Sequence, residues 1–350
     1  MSWFTRTRIE TDAPARSLCW RGDELVDWVR GGDRWTADGR FHPARVSWGY
    51  ARFDGAITDP TGRWAFVHER TGTAGLLVRD EEIVREIHRS PYHADAYLYP
   101  ACLFQRDDRV VLAHCPDSYA RIEFDDAETG ERLTRSTTRK ETDFFHSRLA
   151  VSPGGKRLMS AGWVWQPWDM VVWFDIAAAI ADPARLDVCE GASGGVDVSV
   201  GEESSGAWLD DDHVLLGGSV DAEDAEDARF QATGIAVFDL SARRYTRGVD
   251  LDEPAGTMMP AGPDHVVTFF GRPRLVSLTS GKVVHEWADI DSGHAVSSIV
   301  RDLPCPPLAL DPARARFAVA GEQGIDVVTI EVRALAREHS SKDIGGSRPR

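Results

Sequence analysis

This chain is short of cysteine, of long apolar runs and of positive charge, and each shortage argues against a class of function. Its five cysteines, Cys19, Cys102, Cys115, Cys189 and Cys305, are an odd number at wide spacing with no C-x-x-C pair. That pattern argues against zinc held by cysteine and against a disulfide framework. It leads to an expectation of reduced thiols in a cytoplasmic protein. The opening residues, MSWFTRTRIETDAPARS, contain no apolar h-region, so a secretory signal is not expected. No stretch approaches the roughly 18 apolar residues that span a bilayer, and a membrane partner is not expected. Basic residues number 40 against 56 acidic ones, a formal charge of −16. A surface of that sign does not track phosphates, so nucleic acid is not expected as a partner either. The basic stretch from Arg132 to Lys140 is a local exception.

Signatures of catalysis are missing as well. There is no G-x-S-x-G elbow and no G-x-x-x-x-G-K-S/T phosphate loop. Cys115 follows His114 directly, but neighbours on a strand point to opposite faces, so the pair does not read as a dyad. The acidic run Asp221 to Phe230 lacks the Gly-centred spacing of a calcium loop and reads as a solvated excursion. No histidines stand at H-x-H or H-x-x-x-H spacing; no metal and no cofactor are expected.

What the chain does have is one phrase, repeated. A turn with Pro or Gly leads to a basic or polar residue and a short apolar run. A Gly-marked break then leads to a second apolar run, often ending in Asp. The phrase is clearest from Ala150 to Ile176, and recurs from Ile57 to Asp80 and from Ala309 to Ile330. Aligned on its second strand, the unit begins at Glu24, Arg63, Arg109, Arg157, His213, His265 and Arg316. From Arg63 onward the offsets are 46, 48, 56, 52 and 51 residues. Self-similarity at that period marks a stack of four-stranded sheets, here seven, with hardly any helical periodicity. The fold class is therefore all-β, a seven-bladed β-propeller over residues 1–333, with a polar tail over 334–350 expected to fray and lose order. Asp175 to Asp187, rich in Ala behind an Asp, reads as a short capped helix between outer strands. Blade seven supplies three strands of its own, ending in Ile325 to Val332. The alternating segment Trp3 to Glu10 is expected to add the fourth and close the ring.

The turn Ser152-Pro153-Gly154-Gly155-Lys156, its looser copies Asp59-Pro60-Thr61-Gly62-Arg63 and Asp311-Pro312-Ala313-Arg314, and the strand ending Trp173-Phe174-Asp175 resemble the WD40-like β-propeller superfamily over nearly the whole chain. The Gly-His opening of a WD40 blade is not repeated from unit to unit, so the His–Ser/Thr–Trp–Asp network of that family is not assumed. The resemblance implies a fold and not a function, because propellers host both scaffolds and enzymes.

In such a fold the d-to-a and b-to-c loops emerge on one face. The long, chemically loaded segments of blades two to four all fall there. They carry His68, Arg70, His93, Asp95, Tyr97, His114, His146, Trp165, Trp168 and Asp169. His93, Asp95 and Tyr97 alternate, so an extended segment would turn them to one side. These polar groups read as loop hydrogen-bonders or as ligand contacts, and the tryptophans as blade packing or as partner anchors. The first functional reading is a non-enzymatic propeller that binds a protein partner or a small ligand through this face. The alternative is a hydrolase- or lyase-like enzyme using the same His, Asp and Arg groups. Convergence separates the two: an enzyme needs several of them around one cavity.

Overall fold

The computed structural model describes residues 3–49, 52–165, 168–192, 202–218, 233–297, 299 and 305–344. Seven small antiparallel sheets stand in a ring, and the chain is a seven-bladed β-propeller. The second strands are Glu24–Asp27, Trp64–His68, Arg109–His114, Arg157–Val164, His213–Gly218, His265–Thr268 and Arg316–Gly321, within a residue of the repeat positions. Each is almost wholly buried in its apolar centre, because both faces of a blade are covered by neighbours.

Hydrophobic burial is accordingly divided rather than central. Seven apolar clusters lie one between each pair of adjacent blades. The layer between blades three and four, for example, joins Phe104, Val111 and Phe124 to Leu158, Val172 and Phe174. The layer between six and seven joins Val267, Phe269 and Leu275 to Phe317 and Val328. Every sheet thus depends on having two neighbours.

The closing strand forms as the alternation implies. Phe4–Glu10 pairs antiparallel with Gly324–Ile330 along its full length, Phe4 opposite Ile330 and Glu10 opposite Gly324. Trp3 enters the layer between blades six and seven, and Ile9 that between seven and one. Arg6 and Arg8 reach the buried Asp326 carboxylate, Arg6 Nε at 2.9 Å and Arg8 Nη1 at 2.8 Å.

On the opposite face from the long loops, a-to-b turns clip several blades to their neighbours. Ser152 Oγ donates to Asp211 at 2.7 Å and accepts from the amides of Lys156 and Arg157. Arg314 and Arg316 reach the Gly22 carbonyl and Asp23 of blade one. Gly62, at φ +69°, packs so tightly on Arg21 and Trp20 that a side chain would strike their backbone.

Three local departures matter. Ile176–Ala181 is helical with Asp175 accepting from the Ala178 amide, and Pro183–Asp187 follows as a 3-10 turn. Blade three has three strands, Ala101–Arg106, Arg109–His114 and Glu123–Asp126, with Leu133 donating to the Phe124 carbonyl as the start of a fourth edge. Val332–Ile344 forms a thirteen-residue helix, longer than the frayed turn expected of the tail. Its first turn is held because Val332 and Leu335 dock on the layer between blades six and seven.

Removing residues 1–11 takes away a seven-residue ladder and two buried side chains, each contributing roughly 1.5–3 kcal/mol. The thermal midpoint of the truncated chain should fall by several degrees in a calorimetric scan. An unchanged midpoint would show that the ring does not depend on this strand.

Candidate functional site

An eighth apolar cluster belongs to no interface between blades. Tyr97, Phe145 and Trp163 form its buried part, with Tyr119 and Ile299 packed against them. Trp163 is on the second strand of blade four, and the others come from the d-to-a and b-to-c loops of blades two and three and from the connection that leads into blade seven. Tyr97 and Ile299 meet as an isolated β-bridge.

The rings form a column. Tyr119 stacks on Phe145 with centroids 4.0 Å apart, and Phe145 on Trp163 at 3.8 Å with an angle of 10°. Tyr92 lies roughly parallel beside this stack, 5.2 Å from Tyr119 and 6.1 Å from Phe145, while Tyr97 sets its edge against Phe145. His93 bridges two further rings, standing edge-on to Tyr92 at 4.5 Å and 5.5 Å from Trp165. The column is buried at its root and open at its rim, where Tyr92 is 50% and Trp165 57% exposed.

Two local devices hold it. In blade four the loop segment at Phe145 runs against strand b and exchanges both backbone hydrogen bonds with Trp163, at 2.8 and 3.1 Å. Gly162 makes that approach possible, since a Cβ there would collide with the Phe145 carbonyl oxygen. Period-2 alternation then sends Phe144 into the blade and Phe145 into the column. The second device is Arg89. Its guanidinium donates to the carbonyls of Gly72, Ala94, Tyr97 and Leu98 and lies 4.6 and 4.7 Å from the Tyr97 and Tyr99 ring centres. A buried cation that feeds three carbonyls of one loop, and a fourth at Gly72 in the neighbouring b-to-c turn, fixes that loop's shape, and this loop carries Tyr92 and His93. Composition gave no sign of Arg89; only a surplus of carbonyls left by the turns around Pro91 to Ala96 calls for such a donor.

The histidines of this face do not converge. His68 is buried, its Nδ1 3.2 Å from the Phe66 carbonyl, with its ring stacked on Phe66 and edge-on to Tyr99. His114 places Nε2 3.0 Å from the Asp125 carboxylate, which Arg132 also reaches. His146 sets Nδ1 3.1 Å from Ser160 Oγ, one limb of the His–Ser network that the repeats did not promise. Each is committed to its own blade. The expected alternation of His93, Asp95 and Tyr97 also fails: turns at Pro91–Ala94 and His93–Ala96, with His93 at φ 49°, leave His93 and Asp95 outside and Tyr97 inside.

The remaining positions divide in the same way. Arg70 is half-buried, its amide donating to Asp54 at 2.7 Å. Trp168 packs on the layer between blades three and four rather than offering a free indole. Asp169 is buried, its amide donating to Glu202. Part of the basic stretch is consumed: Arg132 pairs with Asp117 and Asp125, and the buried Arg139 side chain with Asp187 and Glu123, while Arg135 and Lys140 are exposed. The acidic run Asp221 to Phe230 lies outside the described residues.

A separate open cleft of about 470 Å³ lies on blade six, bordered by Phe270, Arg272, Asp289 and His294. Two of its charges are already paired, Asp289 with Arg6 and Arg272 with Glu286. Among the described residues no three His, Cys, Asp or Glu side chains are grouped as metal ligands, and no helix is long and apolar enough to cross a membrane.

No family model matches the chain, and no curated protein matches it by sequence. Solved structures do. A chain of the mitotic checkpoint complex superposes with a TM-score of 0.57 at 12% identity, covering 93% of this chain and 91% of that one. Hydrazine synthase of Kuenenia stuttgartiensis gives 0.58 at 14% identity, covering 93% and 98%. What they share with this chain is its fold, here a seven-bladed β-propeller. Likeness at so low an identity speaks for the fold alone, and the two neighbours differ so widely that the propeller itself selects no activity.

Burial sets a pH dependence on this propeller. Burial drives the His68 pKa down to about 4, with Arg70 and Arg89 adding repulsion, and His146 down to about 3, with Arg139 adding to it. Unfolded, both rings take up protons near 6.5, so their contribution is full above that pH and is lost as pH falls toward 4 and 3. Glu203 acts in the opposite sense. Burial raises its carboxyl to about 7, offset in part by the Val171 amide it accepts at 3.0 Å, so it weakens the fold as pH rises from 4.5 through 7. Each effect is read against its own variant. His146→Asn should flatten the fall in thermal midpoint between pH 6.5 and 4.5. Glu203→Gln should raise the midpoint by a few degrees at pH 8 and converge with the parent below pH 5. Parallel midpoint curves for parent and variant would refute the assignment in either case.

Proposed function

We propose that this propeller is a non-enzymatic scaffold that holds a protein partner on the loop face of blades two to four, with Trp165 and Tyr92 as its anchors. The observation that carries this reading is the column itself: an apolar cluster outside the ring's seven layers, rooted in buried Tyr97, Phe145 and Trp163 and ending in two exposed rings. Aromatic side chains held rigid from below lose little freedom on binding and present large area with a polar edge, which is the character of interface hot spots. The mitotic checkpoint complex is an assembly of proteins, and a propeller fold within it agrees with such a use.

The enzyme reading has less support. It required at least three of His68, Arg70, His93, Asp95, His114 and His146 to share a concavity, and His68, His114 and His146 are instead bound within separate blades. The unpaired cysteines fit a reducing compartment, and we place the protein in the cytoplasm on that ground.

Trp165→Ala should leave the thermal midpoint within about two degrees, because the indole is more than half exposed, while lowering partner capture from the native host at least tenfold. Trp163→Ala removes a buried ring from the column and should cost roughly 3–5 kcal/mol of stability. Capture that is indifferent to Trp165 would move the interface elsewhere.

A further inference from the structure

The rim of the column is built for one kind of side chain. Its exposed apolar groups are rings rather than aliphatic chains, and a ring face carries negative potential that attracts cations. The same loops carry exposed carboxylates, and one of them touches the column at Tyr119. The Tyr119 hydroxyl donates to Asp143 Oδ1 at 2.8 Å, and Asp143 is exposed. Donation to a carboxylate pushes electron density into the phenol ring, which strengthens its attraction for positive charge. Asp95 is exposed on the same loop as Tyr92 and His93.

Among the described residues, three arginines of these loops are engaged elsewhere. Arg89 lies beneath it with its donors on backbone carbonyls. Arg121 is taken up by Glu123 and Glu141, and Arg132 by Asp117 and Asp125. The whole chain adds a formal charge of −16, which favours approach of a basic partner. An aliphatic ligand would gain nothing from the carboxylates, and an acidic one would be repelled by them.

We infer that the partner presents an arginine or lysine side chain to the Trp165, Tyr92 and Tyr119 rings, with Asp143 taking its charge. The inference rests on the docking reading above and narrows it to a basic segment. The guanidinium or ammonium would lie against ring faces while its aliphatic stem covers the indole.

The test uses the full chain and nine-residue Gly–Ser peptides carrying three arginines, three leucines or three glutamates. Binding is followed by the indole N–H resonance of Trp165, identified by its loss in Trp165→Phe. The arginine peptide should shift that resonance saturably and leave the buried Trp287 indole in place. Asp143→Asn should weaken the interaction by at least about threefold, the scale of one exposed charge contact, and Trp165→Phe should weaken it when followed by peptide-detected relaxation. A saturable shift with the leucine or glutamate peptide and none with arginine would overturn the basic specificity while leaving the docking surface in place. An arginine response unchanged by Asp143→Asn would overturn the assignment of the charge contact and with it the inference. Partner capture that survives Trp165→Ala would instead remove the docking surface itself.

Discussion

Closure of the ring is the constraint on which the rest depends. Each of the seven sheets has two apolar faces, and no blade can bury both without a neighbour on each side. The pairing of Phe4–Glu10 with Gly324–Ile330 fixes the two ends of the chain to each other, so the first and last blades are as well covered as the others. It also completes a buried charge site, because Asp326 on the penultimate strand has its carboxylate met by Arg6 and Arg8 from the closing one. Apolar burial and ion pairing therefore reinforce the same seam. Left unmatched, a buried carboxylate at that position would be costly.

A closed ring in turn fixes where the loop bases stand. Blades two, three and four are consecutive, and the loops from their inner ends meet over the channel side of the loop face. The column of Tyr119, Phe145 and Trp163, with Tyr92 beside it, is the product, since residues from three units meet this way only when the units are locked in order. Rigidity below and exposure above are what a binding surface requires. The polar residues around it serve a different purpose. Buried His68, His114 and His146 each satisfy a local donor or acceptor, which holds a loop to its own blade and leaves none of them free for chemistry at the rim.

Much of the framework was legible in the residues. The second-strand starts from Glu24 to Arg316 coincide with the strands because turn chemistry and apolar runs are local properties, decided within a few residues. The closing strand was legible for a related reason: Trp3 to Glu10 alternates and had no partner in blade one. Asp175 announced its helix by capping it. The one place where period-2 reasoning misled was His93 to Tyr97, where the turns around Pro91 and the left-handed backbone at His93 override alternation.

The amino-acid sequence by itself determined the all-β repeat, the number of units and the face that carries the long loops, because each follows from spacing along the chain. Only the tertiary structure decided which of those loop residues meet. Tyr92, Tyr119, Phe145 and Trp163 are spread over some seventy positions, and nothing in their neighbours specifies that they stack. Arg89 is the clearest case. Its position in the sequence is unremarked, yet three carbonyls turned inward by one loop and a fourth from the turn at Gly72 make it the support of the exposed rim. The physical reason is that strands and turns are set by local torsions and alternation, whereas a site is set by contacts between distant segments, which exist only once the ring has closed.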